Sequence, residues 1–146
     1  MNAPVDKMLQ SAEVQAFASG FPTTVAHLAL TLLLLGLGAA VYVRLTPWKE
    51  IALVRDGNVA AAVGLAAVVI GLAIPLAVSL SVSTTLRDIA LWGVATVALQ
   101  LLAFRLVDGL LTGLPRRIQA GEVAAAIVLA GAKLGTALIL AAALTG

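Results

Sequence analysis

This sequence of 146 residues contains no cysteine, one histidine and few charges, since Asp, Glu, Lys and Arg make up only 11% of it. The absence of cysteine excludes disulfides, thiolate catalysis and zinc-thiolate sites. Nine Lys and Arg stand against seven Asp and Glu, and they form no basic run interleaved with aromatic residues. This small basic excess gives no reason to expect a nucleic-acid-binding surface.

Apolar residues are what the chain has in abundance: 62% of it is hydrophobic, and its mean hydropathy is +1.10. Such a composition is too apolar for a soluble domain. Apolar runs of about 20 residues cross a bilayer as helices, and four such runs occupy 24–45, 58–82, 88–111 and 122–144. We therefore expect an all-α membrane protein with four transmembrane helices.

The first 21 residues are largely polar, and they lack the basic start and apolar core of a cleavable signal peptide. Several apolar residues in this segment fall near helical spacing: Val5, Met8, Leu9, Ala12 and Ala16. Two interpretations stay open for residues 1–21, an interfacial helix and a disordered tail. In either case, Gly20 and Pro22 are expected to end the segment before the first span.

A short sequence motif, called here the phrase, occurs twice. GNVAAAV begins at Gly57 and GEVAAAI begins at Gly121, an offset of 64 residues (121 − 57). Over residues 57–78 this offset gives the same residue at 11 of 22 positions. It also superposes the first span on the third, so the repeating unit is a pair of spans. We expect two parallel two-helix repeats, 22–82 and 83–146, related by an axis along the membrane normal.

Each copy of the phrase lies where the chain leaves a loop and enters the membrane. Gly57 and Gly121 are expected to form the turn, and Asn58 and Glu122 to stand at the helix start. Asn can cap unpaired backbone amides there, and Glu is favoured by the helix dipole. The alanines that follow allow neighbouring helices to approach closely.

Basic residues near the span ends indicate the orientation. One side has the loop residues Arg44, Lys49, Arg55, Arg116 and Arg117, whereas the other has only Lys7 and Arg87. Because basic loops stay in the cytoplasm, we expect both hairpin loops inside and both termini outside, which is the periplasm in a bacterium.

Four stretches carry a family resemblance: YVRLTPWKE (42–50), DGNVAAAV (56–63), Gly71 with Pro75, and WGVATVALQLLAF (92–104). Together they resemble the YjfL-like bacterial inner-membrane family, catalogued as domain of unknown function 350. The resemblance implies a four-span inner-membrane protein built from a doubled two-span unit, with no established activity, substrate or catalytic residue. The chain departs from the family pattern at Glu122, where Asn is commoner, and at Lys133, where an apolar residue is expected.

Small residues recur on the second and fourth spans. Gly131 and Gly135 form a G-x-x-x-G pair, matched by Ala67 and Gly71 in the first repeat. Such pairs let helices pack closely in lipid. Packing within one chain and contact between two copies both stay open.

Lys133 is the only Lys or Arg deep in a span. Counted at about 1.5 Å per residue, it lies at the depth of Gln100. A bare charge facing lipid is costly, so Lys133 should face protein or water, with Gln100 as the nearest candidate polar neighbour.

The third span carries further polar residues. Arg105 and Asp108 are three positions apart on one helix, close enough to form an ion pair. Thr96, Gln100, Phe104 and Asp108 follow one another every four residues. This partly polar stripe is expected to face protein.

No nucleophile triad, phosphate loop or metal cluster can be recognised, and His27 has no acidic partner nearby in sequence. We therefore expect no enzyme and no cofactor. The favoured function is a non-enzymatic scaffold or partner subunit of a membrane complex, forming a homo-oligomer or binding a membrane-protein partner. The alternative is a small transport or permeation module that uses Lys133 and Gln100.

Overall fold

The structure, a computed structural model, describes residues 11–146. Its order of helices is α1 Ala12–Leu45, α2 Glu50–Arg55, α3 Val59–Val82, α4 Leu86–Leu110, α5 Leu114–Gln119 and α6 Val123–Ala143. The described part of the chain is all-α. The expected interfacial positions Val5, Met8 and Leu9, and Lys7 of the charge count, lie outside the described residues.

Four of these helices, α1, α3, α4 and α6, are long and apolar enough to cross a membrane. Large apolar side chains remain exposed along them, among them Leu33, Leu91 and Ile139 at 57%, 73% and 73%. Exposed apolar surface of this extent suits contact with acyl chains better than contact with water. The chain is therefore a multi-pass helical membrane protein.

The expected stop at Gly20 and Pro22 is wrong, because α1 runs unbroken through both residues. The helix is capped by Ser11, whose hydroxyl accepts a bond from the amide of Val14 at 3.4 Å. Proline costs the helix one backbone hydrogen bond, but its fixed φ suits a helix, and long apolar helices tolerate it. The boundary expected after residue 21 thus falls inside α1.

The two short helices lie at one end of the bundle, called here the short-helix end. Each is six residues long, and each is followed by a glycine in the left-handed region, Gly57 at φ +83° and Gly121 at φ +87°. Asn58 caps α3 by accepting a bond from the amide of Ala61 at 2.9 Å. Glu122 occupies the same place before α6 without a side-chain cap, and its carboxylate pairs with Arg117 instead.

Helices α3 and α6 make the most extensive close contact in the bundle. At their starts, alanines of both copies of the phrase are buried in one cluster, which includes Ala60, Ala61, Ala125 and Ala126. Side chains this small let two backbones approach closely, which favours packing in lipid. The repeated phrase thus places its alanines where α3 and α6 meet.

The close contacts of two glycines fix the register of the other helices. A Cβ on Gly93 of α4 would lie 2.5 Å from Cδ1 of Leu34 in α1, and one on Gly71 of α3 would lie 2.8 Å from Cζ of Phe104 in α4. Along this register α1 and α4 run parallel, while α3 runs against α4. The end opposite the short helices, where α3 and α6 finish, is called here the far end.

Candidate functional site

Lys133 lies midway along α6, with only 2% of its surface exposed. Side chains of a helix lean toward its N-terminus, so the ammonium extends toward the short-helix end. There Nζ donates a 2.7 Å hydrogen bond to the hydroxyl of Tyr42 and lies 2.9 Å from Oδ1 of Asp108. The contact with Asp108 is an ion pair by distance, whereas the directed hydrogen bond goes to Tyr42.

The Tyr42 hydroxyl links Lys133 by hydrogen bonds to the segment after α1. Its hydroxyl donates to Oε1 of Glu50 at 3.4 Å, and Glu50 is buried although it begins the short helix α2. Thr46 fixes the end of α1 by donating from its hydroxyl to the carbonyl of Tyr42 at 2.9 Å. Four side chains from four helices, Lys133, Tyr42, Asp108 and Glu50, thus form one buried polar group, called here the charge network.

Burial raises the pKa of the Glu50 carboxyl, because the surrounding protein solvates its charged form poorly. The nearby Lys133 ammonium opposes this effect and lowers the same pKa, although less strongly. The pKa of the Glu50 carboxyl is therefore higher than that of an exposed glutamate.

Aromatic rings enclose the ammonium on two sides. Nζ of Lys133 lies 4.7 Å from the ring centroid of Tyr42 and 5.6 Å from that of Phe104. The two rings meet edge to face with their centroids 6.0 Å apart. A cation inside a low-dielectric bundle gains from such rings in addition to its ion pair.

A pocket of about 430 Å³ opens at the short-helix end and reaches the charge network. Asp108 forms part of its wall together with Trp48, Thr112, Arg116 and Gln119. The Asp108 side chain is 14% exposed, whereas that of Lys133 is 3% exposed. Asp108 is therefore the point at which the network meets the surroundings.

Gln100 does not contact Lys133 in the way the sequence suggests. Its Nε2 donates to the hydroxyl of Thr136 at 3.2 Å, and that hydroxyl donates to the carbonyl of Lys133 at 2.8 Å. Gln100 thus reaches the backbone of Lys133 through Thr136, while the ammonium lies farther along, beside Asp108.

The expected pair between Arg105 and Asp108 is also replaced by another arrangement. Arg105 directs Nη1 to the carbonyl of Leu45 at 3.3 Å, at the end of α1, and Asp108 pairs with Lys133. Asp108 faces the bundle interior, whereas Arg105 is exposed. A spacing of three residues allows a pair, but here the two side chains point to different surroundings.

The partly polar stripe of α4 faces protein: Thr96, Gln100 and Phe104 are 1%, 0% and 0% exposed. The small-residue positions divide into two groups. Ala67 and Gly71 of α3 are buried, and Gly71 lies against Phe104. A Cβ on Gly131 or Gly135 would meet no atom within 4 Å, so open space lies beside this pair within the described part of the chain.

Sequence reasoning missed Tyr42 and Glu50 as members of the site. Tyr42 is the only tyrosine and stands in an apolar run, and Glu50 follows a Thr-Pro pair at the end of that run. Both belong to the stretch YVRLTPWKE, which was noticed for its family resemblance. A hydroxyl-bearing ring inside an apolar helix usually needs a partner, and this was the available signal.

The chain was compared with protein families, curated proteins and solved structures. Residues 16–144 match the family described as Domain of Unknown Function (DUF350). The chain belongs to the DUF350 family. No curated protein and no solved structure matches it. In this DUF350 protein the match takes in α1 from residue 16 onward, the other three long helices and every member of the charge network.

Proposed function

We propose that this DUF350 protein is a small proton-transfer module of the membrane, with the charge network as its proton-carrying site. The observation that carries the proposal is the Lys133 ammonium, which is buried inside the bundle and paired with Asp108 at the wall of an open pocket. Ionisable groups inside a membrane protein are costly and usually mark an ion or proton pathway.

A proton fits this site better than a metal cation. The Lys133 ammonium already stands 2.9 Å from Asp108, where it would repel a second cation. Within the described residues, no three His, Asp or Glu side chains are grouped so that they could hold a metal ion. The members of the network instead carry exchangeable protons.

The hydrogen bonds run in one direction, from Lys133 to Tyr42 and from Tyr42 to Glu50. In the proposed step, Nζ of Lys133 gives a proton to the Tyr42 oxygen as that oxygen gives its own proton to the Glu50 carboxylate. One N–H and one O–H bond break while two O–H bonds form, so an ammonium and a carboxylate become an amine and a carboxylic acid. Tyr42 stays neutral throughout, which avoids a buried phenolate.

The proposed setting is the inner membrane of a bacterium, with the short-helix end in the cytoplasm and both termini in the periplasm. The support is the charge distribution, because five of the basic residues near this end belong to loops or helix ends there: Arg44, Lys49, Arg55, Arg116 and Arg117. Reporter fusions after Gly146 and within 49–55 test this orientation. A C-terminal fusion active only in the cytoplasm would reverse it.

The proposed architecture is two parallel two-span repeats, the first of which contains α1 and α3 and ends at residue 82, and the second of which spans 83–146. It is supported by the equal lengths of α2 and α5, which lie 64 residues apart (114 − 50), and by the left-handed glycines that follow them. Duplication would place two equivalent helices, α3 and α6, side by side at the centre. The charge network belongs to neither repeat alone, because Tyr42 and Glu50 come from the first and Asp108 and Lys133 from the second.

Proteoliposomes containing the purified protein and an internal pH-sensitive dye test the proton function. After a pH step, the wild type should dissipate the gradient faster than empty vesicles, and Tyr42→Phe should dissipate it more slowly than the wild type. Tyr42→Phe keeps the ring against Phe104 and removes only the hydroxyl that links Lys133 to Glu50.

Thr31→Val is the matched control, since it removes a hydroxyl from the same helix that bonds only to the carbonyl of His27. Its proton flux should equal that of the wild type. Wild-type vesicles as tight as empty ones, or Tyr42→Phe vesicles as leaky as the wild type, would contradict the proposal.

A non-enzymatic scaffold or partner subunit is the second candidate. It is favoured by the N-terminal part of α1, which is exposed over residues 12–25 and carries two stacked rings, Phe17 and Phe21, 5.1 Å apart. The open face at Gly131 and Gly135 offers a further contact to a second copy. Replacing both glycines with Leu should lower the oligomer fraction in detergent, and a complex purified from native membranes would identify any partner.

A further inference from the structure

Six buried side-chain polar atoms have no hydrogen-bond partner among the described residues. Trp48 Nε1, Glu50 Oε2 and Asp108 Oδ1 lie at the short-helix end, and three lie deeper in the bundle: Oγ of Ser79, Oγ1 of Thr96 and Oε1 of Gln100. Their residues are 1%, 1% and 0% exposed. Buried polar groups are normally hydrogen-bonded, and a lone exception calls for an explanation.

Other Ser and Thr hydroxyls in and beside the membrane helices bond to a backbone carbonyl of their own helix. Thr31, Thr46 and Ser83 each donate to the carbonyl four residues earlier, at 2.9, 2.9 and 2.7 Å. This bond to the residue's own helix is the usual solution for Ser and Thr in an apolar environment. Ser79 and Thr96 make no such bond among the described residues.

The register of the helices places the three groups in a row. Thr96 and Gln100 are one helical turn apart on α4, about 6 Å along its axis. Ser79 belongs to α3, three residues beyond Leu76, which lies opposite Gly93 of α4. Ser79 therefore lies nearer the far end than Thr96, and Gln100 lies nearest the middle.

The row begins at a cavity of about 310 Å³ at the far end. Ser79 lines this cavity together with Ser83, Asp88, Trp92 and Leu144. Trp92 stands four residues before Thr96 on α4, so Thr96 is the next position inward from the cavity wall. At its inner end the row connects with Lys133, since Gln100 binds Thr136 and Thr136 binds the Lys133 carbonyl.

We propose that Ser79, Thr96 and Gln100 line a hydrated path from the far end to Lys133, which gives the charge network its second access. This inference rests on the proposed proton function and extends it, because the pocket at Asp108 serves only the short-helix end. Water held by the three unpartnered atoms would satisfy them and carry protons inward by hydrogen-bond exchange.

Phe104 separates the two accesses. It is fully buried between Gln100 and Asp108, and its ring packs against Tyr42 and against the backbone at Gly71. In the described conformation an apolar side chain thus interrupts the polar stripe at the level of the ammonium. Because Phe104 interrupts the path, no continuous file of water joins the two sides, and a proton crosses only by way of Lys133.

Single cysteines test the path directly, because the natural chain contains none. The full chain with Thr96→Cys or Ser79→Cys is reconstituted into vesicles and treated with a charged, membrane-impermeant thiol reagent on one side. The control is Val94→Cys, which lies at nearly the same depth on α4 and is 57% exposed on the outer surface of the bundle. Gln119→Cys and Thr145→Cys identify the short-helix and far sides.

The expected result is modification of Thr96→Cys and Ser79→Cys from the far side, at least about tenfold faster than Val94→Cys, because a thiol ionises in water and not in lipid. From the short-helix side both should stay unmodified. In the Phe104→Ala background, Thr96→Cys should become reactive from the short-helix side as well. The use of two positions keeps the test decisive if one variant does not fold.

Equal and slow modification of Thr96→Cys, Ser79→Cys and Val94→Cys from the far side would overturn the path, even if the wild type conducts protons. Fast modification together with vesicles that hold their pH gradient would support the path and contradict the proton function. The two proposals therefore fail separately.

Discussion

The ammonium of Lys133 donates a 2.7 Å hydrogen bond to the hydroxyl of Tyr42, a residue 91 positions earlier in the chain. This bond joins the first and last membrane helices. The bond from Tyr42 to Glu50 and the ion pair with Asp108 bring a loop helix and the third membrane helix into the same group. Four helices are thus held together at one buried point.

Removing one member of the ion pair between Lys133 and Asp108 should destabilise the protein strongly, whereas replacing both members with apolar residues should destabilise it little. Lys133→Met leaves the Asp108 carboxylate without its counter-charge, so we expect the free energy of unfolding to fall by about 3 kcal/mol. Lys133→Met combined with Asp108→Leu removes both charges and should recover most of this loss. Thermal unfolding in detergent measures both variants, and a double variant no more stable than Lys133→Met would contradict the pairing.

Gly71 and Gly135 should respond differently to the same change. A Cβ at Gly71 would lie 2.8 Å from Cζ of Phe104, whereas one at Gly135 would meet no atom within 4 Å. Gly71→Ala should therefore lower stability by about 1–3 kcal/mol through overpacking. Gly135→Ala is the control and should unfold at or above the wild-type temperature. Equal melting temperatures for the two variants would speak against the Phe104 contact.

Asn58 should contribute more to stability than its cap alone. Its side chain caps α3, and its Nδ2 also donates to the carbonyls of Ile118 and Gln119 at 3.3 and 3.1 Å, across to α5. Asn58→Ser keeps the cap and loses these bonds, while Asn58→Ala loses both, so we expect Ala to be the less stable by about 1 kcal/mol.

Glu122→Ala serves as the comparison for Asn58, since Glu122 holds the matching position and makes no side-chain cap. Its effect on the melting temperature should be smaller than that of Asn58→Ala. If the wild type and Asn58→Ser unfold at the same temperature, the bonds to α5 add nothing.

The buried Glu50 carboxyl predicts a pH dependence of stability. Its pKa is raised above the ordinary value of 4.5 by burial, so the folded state binds the proton more tightly than the unfolded state. The associated stability is present below the ordinary pKa and is lost as the pH rises through the raised one. Among the groups that face this carboxyl, Lys133, Trp48 and Tyr42 lower its pKa, whereas Asp108 raises it further.

Glu50→Gln removes the titrating group while keeping its shape. We expect the melting temperature of the wild type to fall relative to Glu50→Gln as the pH rises from about 4 to about 8. Parallel curves for the two proteins over this range would show that Glu50 does not titrate in a buried setting.

The sequence was enough to locate the last three membrane helices and their starts, because these depend on local chemistry. Apolar runs of sufficient length gave the last three helices to within about two residues, the usual uncertainty at helix ends. The left-handed turns at Gly57 and Gly121 and the cap at Asn58 also depend on residues that are neighbours in sequence. Pro22 was the failure of this local reasoning, since a single lost hydrogen bond does not end a long apolar helix.

Only the tertiary structure decided which polar groups meet. Depth counted along the helices placed Lys133 level with Gln100, and their backbones do meet through Thr136. The lysine side chain, however, is long enough to carry its charge about one helical turn toward the short-helix end. Its partners therefore became Asp108 and Tyr42, and no pattern in the sequence records the distance between side chains 91 residues apart.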